Sequence, residues 1–268
     1  MLRKITAQIK KDFLIETSYK FAFLFNIFSV LASILTYFFI DKLFGHKVTE
    51  HLEEFGVSYF SYVLLSMAFF SYIGVGLGSF SSRIRGEQLQ GTLESLLLTP
   101  TKISILLAGM ALWNLIIATF DILIYLVLGI FIFKINFSNI NILSTTIILI
   151  LTMASFSCLG IISASFILIF KRGNPVGWII NTIEGLLGGV YFPVTVMPGF
   201  LQTAARFFPI TYAIRAIELA VYRGYSLPEL KSELIFLCLF CLVLTPLSGY
   251  TFKYALKKAR RQGSLLQY

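Results

Sequence analysis

Charge is what this sequence has least of. Only 13% of its 268 residues are Asp, Glu, Lys or Arg, whereas a soluble domain carries roughly 25%. Hydrophobic residues make up 57%, and apolar runs longer than about 18 residues recur along the chain. No stretch outside those runs is long enough for a sizeable soluble domain, so a soluble globular fold is excluded for the bulk of the protein.

Histidine is nearly absent. His46 and His51 both fall in the polar segment Asp41 to Glu54. With Glu50, Glu53 and Glu54 nearby they have the composition of a metal site, but the segment reads first as a solvated loop. The three cysteines, Cys158, Cys238 and Cys241, all lie inside apolar runs. They read as small hydrophobes, not as a disulfide or metal framework. No G-x-x-x-x-G-K-[ST] phosphate loop, H-E-x-x-H or G-x-S-x-G occurs, and no histidine lies within an apolar run. An intramembrane enzyme would need such a cluster at membrane depth. Residues 1–20 are too polar for the core of a signal peptide.

What charge there is sums to +9. The basic residues cluster at the ends of apolar runs, and no basic patch alternates with exposed aromatics. They anchor the chain to anionic lipid and set its topology; no nucleic-acid partner is expected.

The apolar pattern predicts an all-α membrane protein built as one transmembrane domain, residues 1–268. In residues 1–18, Leu2, Ile5, Ile9 and Phe13 recur at helical spacing among Lys and Arg, the pattern of an interfacial amphipathic helix. Six spans are expected at 21–40, 56–80, 103–133, 140–170, 176–192 and 233–252. Gly74 and Gly78 form a small-xxx-small pair in the second. The third and fourth runs are longer than the roughly twenty residues a span needs, so they tilt or project. Segment 193–232 is broken by Pro193, Pro198, Pro209 and Pro228 and carries an amphipathic stretch at 210–223 with Arg215, Glu218 and Arg223. It is too polar to span and reads as short helices at, or dipping into, the membrane face.

Six spans put both termini on one side. Lys and Arg number five in 1–20, three in 81–102, two at 171–172 and five in the tail on that side, fifteen against seven on the other. The positive-inside rule therefore places both termini, and residues 85–100, in the cytoplasm of a multi-pass cell (inner) membrane protein.

Two acids sit deep in apolar runs, Asp121 and Glu184. A carboxylate costs too much in lipid to face it, so each faces a cavity or a partner. Gly177, Asn181, Glu184 and Gly188 recur at spacings of four, three and four. That small, polar stripe suits a pathway wall or a helix contact. Ser61 and Tyr62 in the second run, among other hydroxyls and rings, suit a route for an amphipathic molecule, or helix packing.

The stretch Arg85 to Pro100 interrupts the apolar chain with charge and glycine. Thr92, Leu93, Leu96 and Leu97 give a helix an apolar edge; Glu87 and Glu94 are charged; Gly86 and Gly91 permit turns; Thr99-Pro100 stops it. Such a helix can seat in a groove of a partner, or serve as a plain amphipathic connector.

The sequence Arg85-x-Glu87 followed by Gly91-Thr92-Leu93-Glu94-x-Leu96-Leu97-x-Thr99-Pro100 resembles the permeases of type 2 ATP-binding-cassette (ABC) exporters. The resemblance covers nearly the whole chain, and its pattern is most like the branch that moves drugs and small lipophiles. It implies that residues 85–100 form a cytoplasmic coupling helix between spans 2 and 3, with Arg85, Glu87, Gly91, Thr92, Leu93, Glu94 and Leu97 contacting an ABC ATPase subunit. That subunit would bind the ATP and Mg²⁺; this chain would bind no cofactor. It implies outer re-entrant helices at 193–232, a second permease chain, identical or not, to enclose the path, and a hydrophobic or amphipathic substrate. The competing reading is a proton-coupled secondary transporter relaying through Asp121 and Glu184. It leaves the Gly91-to-Glu94 stretch unused and predicts internal repeats that the sequence lacks.

Overall fold

The computed structural model describes residues 6–7, 9–14, 20–92, 103–170 and 175–261. Among the described residues there is no strand. Among the same residues, four helices are long and apolar enough to cross a membrane: Tyr59–Leu89, Leu107–Phe131, Ile142–Phe170 and Lys231–Arg261. In lipid every backbone polar group needs an internal partner, and a helix supplies one residue by residue.

The long elements are α1 (Lys20–Thr49), α2 (Tyr59–Leu89), α3 (Ile103–Phe131), α4 (Ile142–Phe170), α5 (Pro175–Leu187) and, last in the chain, α8 (Lys231–Arg261). Between α5 and α8 lie a 3-10 turn (Val194–Val196), α6 (Gly199–Ala205), α7 (Pro209–Glu218) and one π-helical turn (Leu219–Arg223). Residues 6–7 and 9–14 are also helical.

α2 is the central strut. It packs against α3 and α4, α4 packs in turn against α8, and α1 lies along α2. Lipid is as apolar as leucine, so helices in it associate through close packing rather than hydrophobic exclusion. The buried face of α4 accordingly carries Ser155, Ser157, Gly160, Ser163 and Ala164. At its centre a Cβ on Gly160 would lie 2.5 Å from the Gly76 carbonyl oxygen and 2.8 Å from that of Leu77. The outward faces are apolar: Phe25 and Phe28 on α1, Leu123 and Val127 on α3, Leu239 and Leu242 on α8 are all exposed.

Four elements depart from the sequence expectation. α1 does not stop near 40 but runs to Thr49, so most of the expected polar loop is helix. Asp41 accepts the Phe60 N–H at 3.2 Å, and Lys42 sits 4.9 Å from the Phe38 ring centre. Asp41 thus ties the helix to α2, while Lys42 lies over a ring of its own helix, so neither breaks it. α2 likewise continues past residue 80 to Leu89, taking in the first part of the expected 85–100 helix. α5 stops at Leu187, because Gly188 and then Gly189, at φ +86°, turn the chain. Its 13 residues rise about 20 Å, short of the roughly 30 Å of a hydrocarbon core. α8 runs unbroken to Arg261 with Pro246 inside it.

The bundle therefore has two distinct ends. Residues 9–14 and the end of α2 form one. The other is a cap made of residues 188–230 and the α1–α2 and α3–α4 loops.

Candidate functional site

The cap is stitched to the start of α2 by tyrosines. Tyr59 Oη donates to the Tyr191 carbonyl at 2.9 Å, Tyr62 Oη to the Gly189 carbonyl at 2.6 Å, and Tyr222 Oη to the Ser61 carbonyl at 2.6 Å. Tyr222 also stacks on Phe137 of the α3–α4 loop. The Asn141 N–H donates to Ala220 at 3.0 Å, and a Cβ on Gly224 (φ +70°) would strike the Asn139 carbonyl at 2.6 Å. Arg215 reaches two acids, Glu54 Oε1 at 2.5 Å and Glu233 Oε1 at 3.1 Å. Arg223 donates to the carbonyls of Glu53 and Glu54 at 2.6 and 3.0 Å.

At the opposite end, α2 closes in a Schellman arrangement. Gly91, at φ +69°, is the left-handed residue. Its N–H bonds to Gln88 and the Thr92 N–H bonds back to Glu87. Arg85 and Glu87 therefore stand on α2 itself, and Gly86 lies within the helix rather than at a turn. Leu93, Glu94 and Leu97 lie outside the described residues.

Glu87 accepts from Lys11 Nζ at 3.1 Å and from the Thr92 hydroxyl. Burial pushes its carboxyl up, but these hydrogen bonds and the charges of Lys11 and Arg83 outweigh burial and hold it below the usual carboxylate range. Arg83 in turn pairs with buried Asp12. The N-terminal helical residues are thus tied to the same turns of α2 that carry Arg85 and Glu87. Arg85 keeps a buried Nη1 with no partner among the described residues.

Between the two ends, a groove of about 720 Å³ opens along α2 and α5, with Ser71, Gly74, Gly78, Ser79 and Asn181 on its walls. Among the described residues nothing lies within 4 Å of a Cβ placed on Gly74 or Gly78, so the small-residue pair faces the groove rather than one of the described helices. Phe70 also lines the groove and meets Gly185 of α5: its Cζ would be 3.0 Å from a Cβ there.

The residues singled out from sequence are distributed unevenly. Asn181 is on the groove wall. Glu184, one turn on along the same stripe, is 1% exposed, and its Oε2 has no partner among the described residues. The other face of α5, Trp178, Ile179, Ile183 and Leu186, is exposed and apolar. Tyr62 is buried and acts as a strut to the cap, while Ser61 is half-buried beside Ser58, 3.1 Å between hydroxyls. Asp121, half-buried on α3, neighbours Tyr125 and is not on the groove.

Sequence reasoning missed Glu218. The sequence places it with Arg215 and Arg223 on the amphipathic stretch 210–223, but Arg215 and Arg223 are exposed and Glu218 is fully buried. The signal was present: Ile210, Ile214, Ile217 and Val221 recur at helical spacing, and position 218 falls on that same apolar face.

The ABC-2 type transporter family profile matches residues 4–222. The inner membrane transport permease YadH of Escherichia coli K12 is 26% identical over 181 residues, which cover 67% of this chain and 69% of YadH. YadH of Shigella flexneri matches to the same extent. The matched region holds α1 to α5, the groove and the cap as far as Tyr222, and on it the chain belongs to the ABC-2 type transporter family.

Proposed function

We propose that this chain is the permease subunit of an ATP-driven exporter of the inner membrane, moving a hydrophobic or amphipathic substrate. A separate ABC ATPase subunit, carrying ATP and Mg²⁺, supplies the energy. Both termini face the cytoplasm, and residues 193–232 lie on the outer side, following the distribution of Lys and Arg.

The observation that carries the reading is the course of α2. One continuous helix, Tyr59–Leu89, joins the Glu87–Gly91 end to the tyrosine-held cap. A helix transmits displacement along its axis with little loss. A push by an ATPase against residues 85–100, through Arg85, Glu87, Gly91, Thr92, Leu93, Glu94 and Leu97, therefore moves the groove wall and the cap together. The groove along α2 and α5 is the substrate route, with Asn181 on its wall; a second permease chain closes its open side.

The decisive experiment is affinity purification of the chain from its native membrane in mild detergent, with mass spectrometry of stoichiometric partners. A soluble protein with a phosphate loop at one copy per permease supports the proposal. Recovery of the chain without any nucleotide-binding subunit overturns it and moves a proton relay through Asp121 and Glu184 to the front. In the assembled complex, Glu94→Arg is expected to leave insertion intact and abolish export; unchanged export would remove residue 94 from the coupling surface. Glu184→Gln is expected to change export with assembly preserved. Failure to assemble would make Glu184 a packing residue.

A further inference from the structure

The cap contains a carboxyl group that the transport reading does not use. Glu218 closes α7 with 0% of its surface exposed. Its Oε1 accepts a hydrogen bond from Ser66 Oγ on α2 at 2.8 Å. Its Oε2 is buried and has no hydrogen-bond partner among the described residues.

The groups that face it are already committed. On α2, Tyr62 gives its hydroxyl hydrogen to the Gly189 carbonyl. On the π-helical turn, Tyr222 gives its own to Ser61. Arg215, one turn back on α7, is held by Glu54 of the α1–α2 loop and Glu233 of α8. Arg223 is held by the carbonyls of Glu53 and Glu54. On α8, Lys231 is exposed. α4, which also packs on α7, carries no Asp, Glu, Lys, Arg or His, and Cys158 is its one thiol. Among the described residues no ion pair reaches Glu218. An unpaired carboxylate in such a site costs far more than retaining the proton, so the group neutralises instead.

We infer that Glu218 is a proton-binding site: it closes the cap as a neutral carboxylic acid hydrogen-bonded to Ser66, and release of residues 209–223 from α2 is coupled to loss of that proton. On opening, the carboxyl reaches water, its O–H bond breaks, the electron pair stays on the carboxylate, and the proton goes to water or buffer. The closed state holds one more proton than the open state. Closure is therefore strongest at low pH and weakens as pH rises. Between the ordinary carboxylate value of about 4.3 and the higher value of the closed state, the opening equilibrium rises by up to tenfold per pH unit. This site is independent of whether an ATPase partner is found.

The test is hydrogen–deuterium exchange of the full chain in phospholipid nanodiscs between pH 6 and pH 8. Rates for peptides covering 209–223 are divided by the intrinsic amide rate at each pH. In the wild type the divided rate is expected to climb with pH, by up to tenfold per unit, while peptides from 142–170 stay flat. In Glu218→Gln, which keeps the shape and the neutrality, the slope is expected to vanish and the cap to stay closed. A flat wild-type profile overturns the inference without reference to any variant. A slope that persists in Glu218→Gln overturns it too, because the proton then belongs to another group. A Glu218→Gln chain that no longer folds also overturns it, since a neutral amide would then fail where a neutral acid was inferred.

Discussion

The two ends of α2 are fastened by different physics. At the cap end, three tyrosine hydroxyls donate to backbone carbonyls, and all three donors, Tyr59, Tyr62 and Tyr222, are buried in a core with Leu52, Phe55 and Ile210. At the other end the ties are charge pairs, Lys11 to Glu87 and Arg83 to Asp12, and Lys11 is half exposed. A hydrogen bond from a packed ring to a carbonyl has one geometry and is costly to leave unmade. An exposed ion pair is weak, screened by salt and easily remade elsewhere. One end is held by directed hydrogen bonds in a packed core; at the other, the Lys11–Glu87 tie is the exchangeable one, while Arg83 pairs with a buried Asp12.

The comparison depends on a rigid middle, and the largest effect comes from breaking that. Gly160→Val brings a Cβ within 2.5 Å of the Gly76 carbonyl oxygen, so α2 and α4 must separate. A loss of about 3 kcal/mol is expected, read as a fall in the thermal unfolding midpoint in detergent; a value near wild type would show that the two helices slide past one another without cost. Next comes the cap. Tyr62→Phe leaves the Gly189 carbonyl without its donor, for a loss of about 1–2 kcal/mol and faster amide exchange at 188–191. Equal exchange in both proteins would mean the tyrosine struts are replaceable, and the contrast between the ends would fail.

The smallest effect belongs to the charged end. Lys11→Ala is expected to cost no more than about 0.5 kcal/mol, while amides at 9–14 exchange faster, and 0.5 M salt should reproduce this in the wild type. Acid should do the same from the other partner. Glu87 has its carboxyl held below the ordinary value of about 4.3. Its contribution is thus full above that value and lost as pH falls through the lower one. Salt-insensitive protection of 9–14 would show that packing, such as Phe13 against Trp113 with ring centres 6.4 Å apart, holds the segment instead.

Much of the architecture could be read from residue order. Apolar runs announce α3 and α4, since a long and predominantly apolar run in lipid has no alternative to helix. Prolines and mixed polarity announced that 193–232 would be short pieces. Helix ends were less legible. Asp41 to Thr49 and Ser81 to Leu89 are polar enough to look like loops, but a polar stretch can extend a helix wherever a neighbour pairs its charges, as Asp41 does with Phe60 and Glu87 does with Lys11. Glu218 was illegible as a buried acid because the same apolar periodicity that buries it was read alongside two arginines that escape to the surface.

The sequence by itself determined that this chain lives in a membrane, that its bulk is helical, and that residues 85–100 stand apart in character. These follow from composition and period, which act locally. Which acid is hidden, which tyrosines are struts, and that Asn181 rather than Tyr62 faces an open groove were decided only when α2, α5 and the cap came together. Burial and hydrogen-bond partnership depend on residues more than a hundred positions apart, such as Tyr62 with Gly189 and Ser66 with Glu218, and no local pattern encodes them.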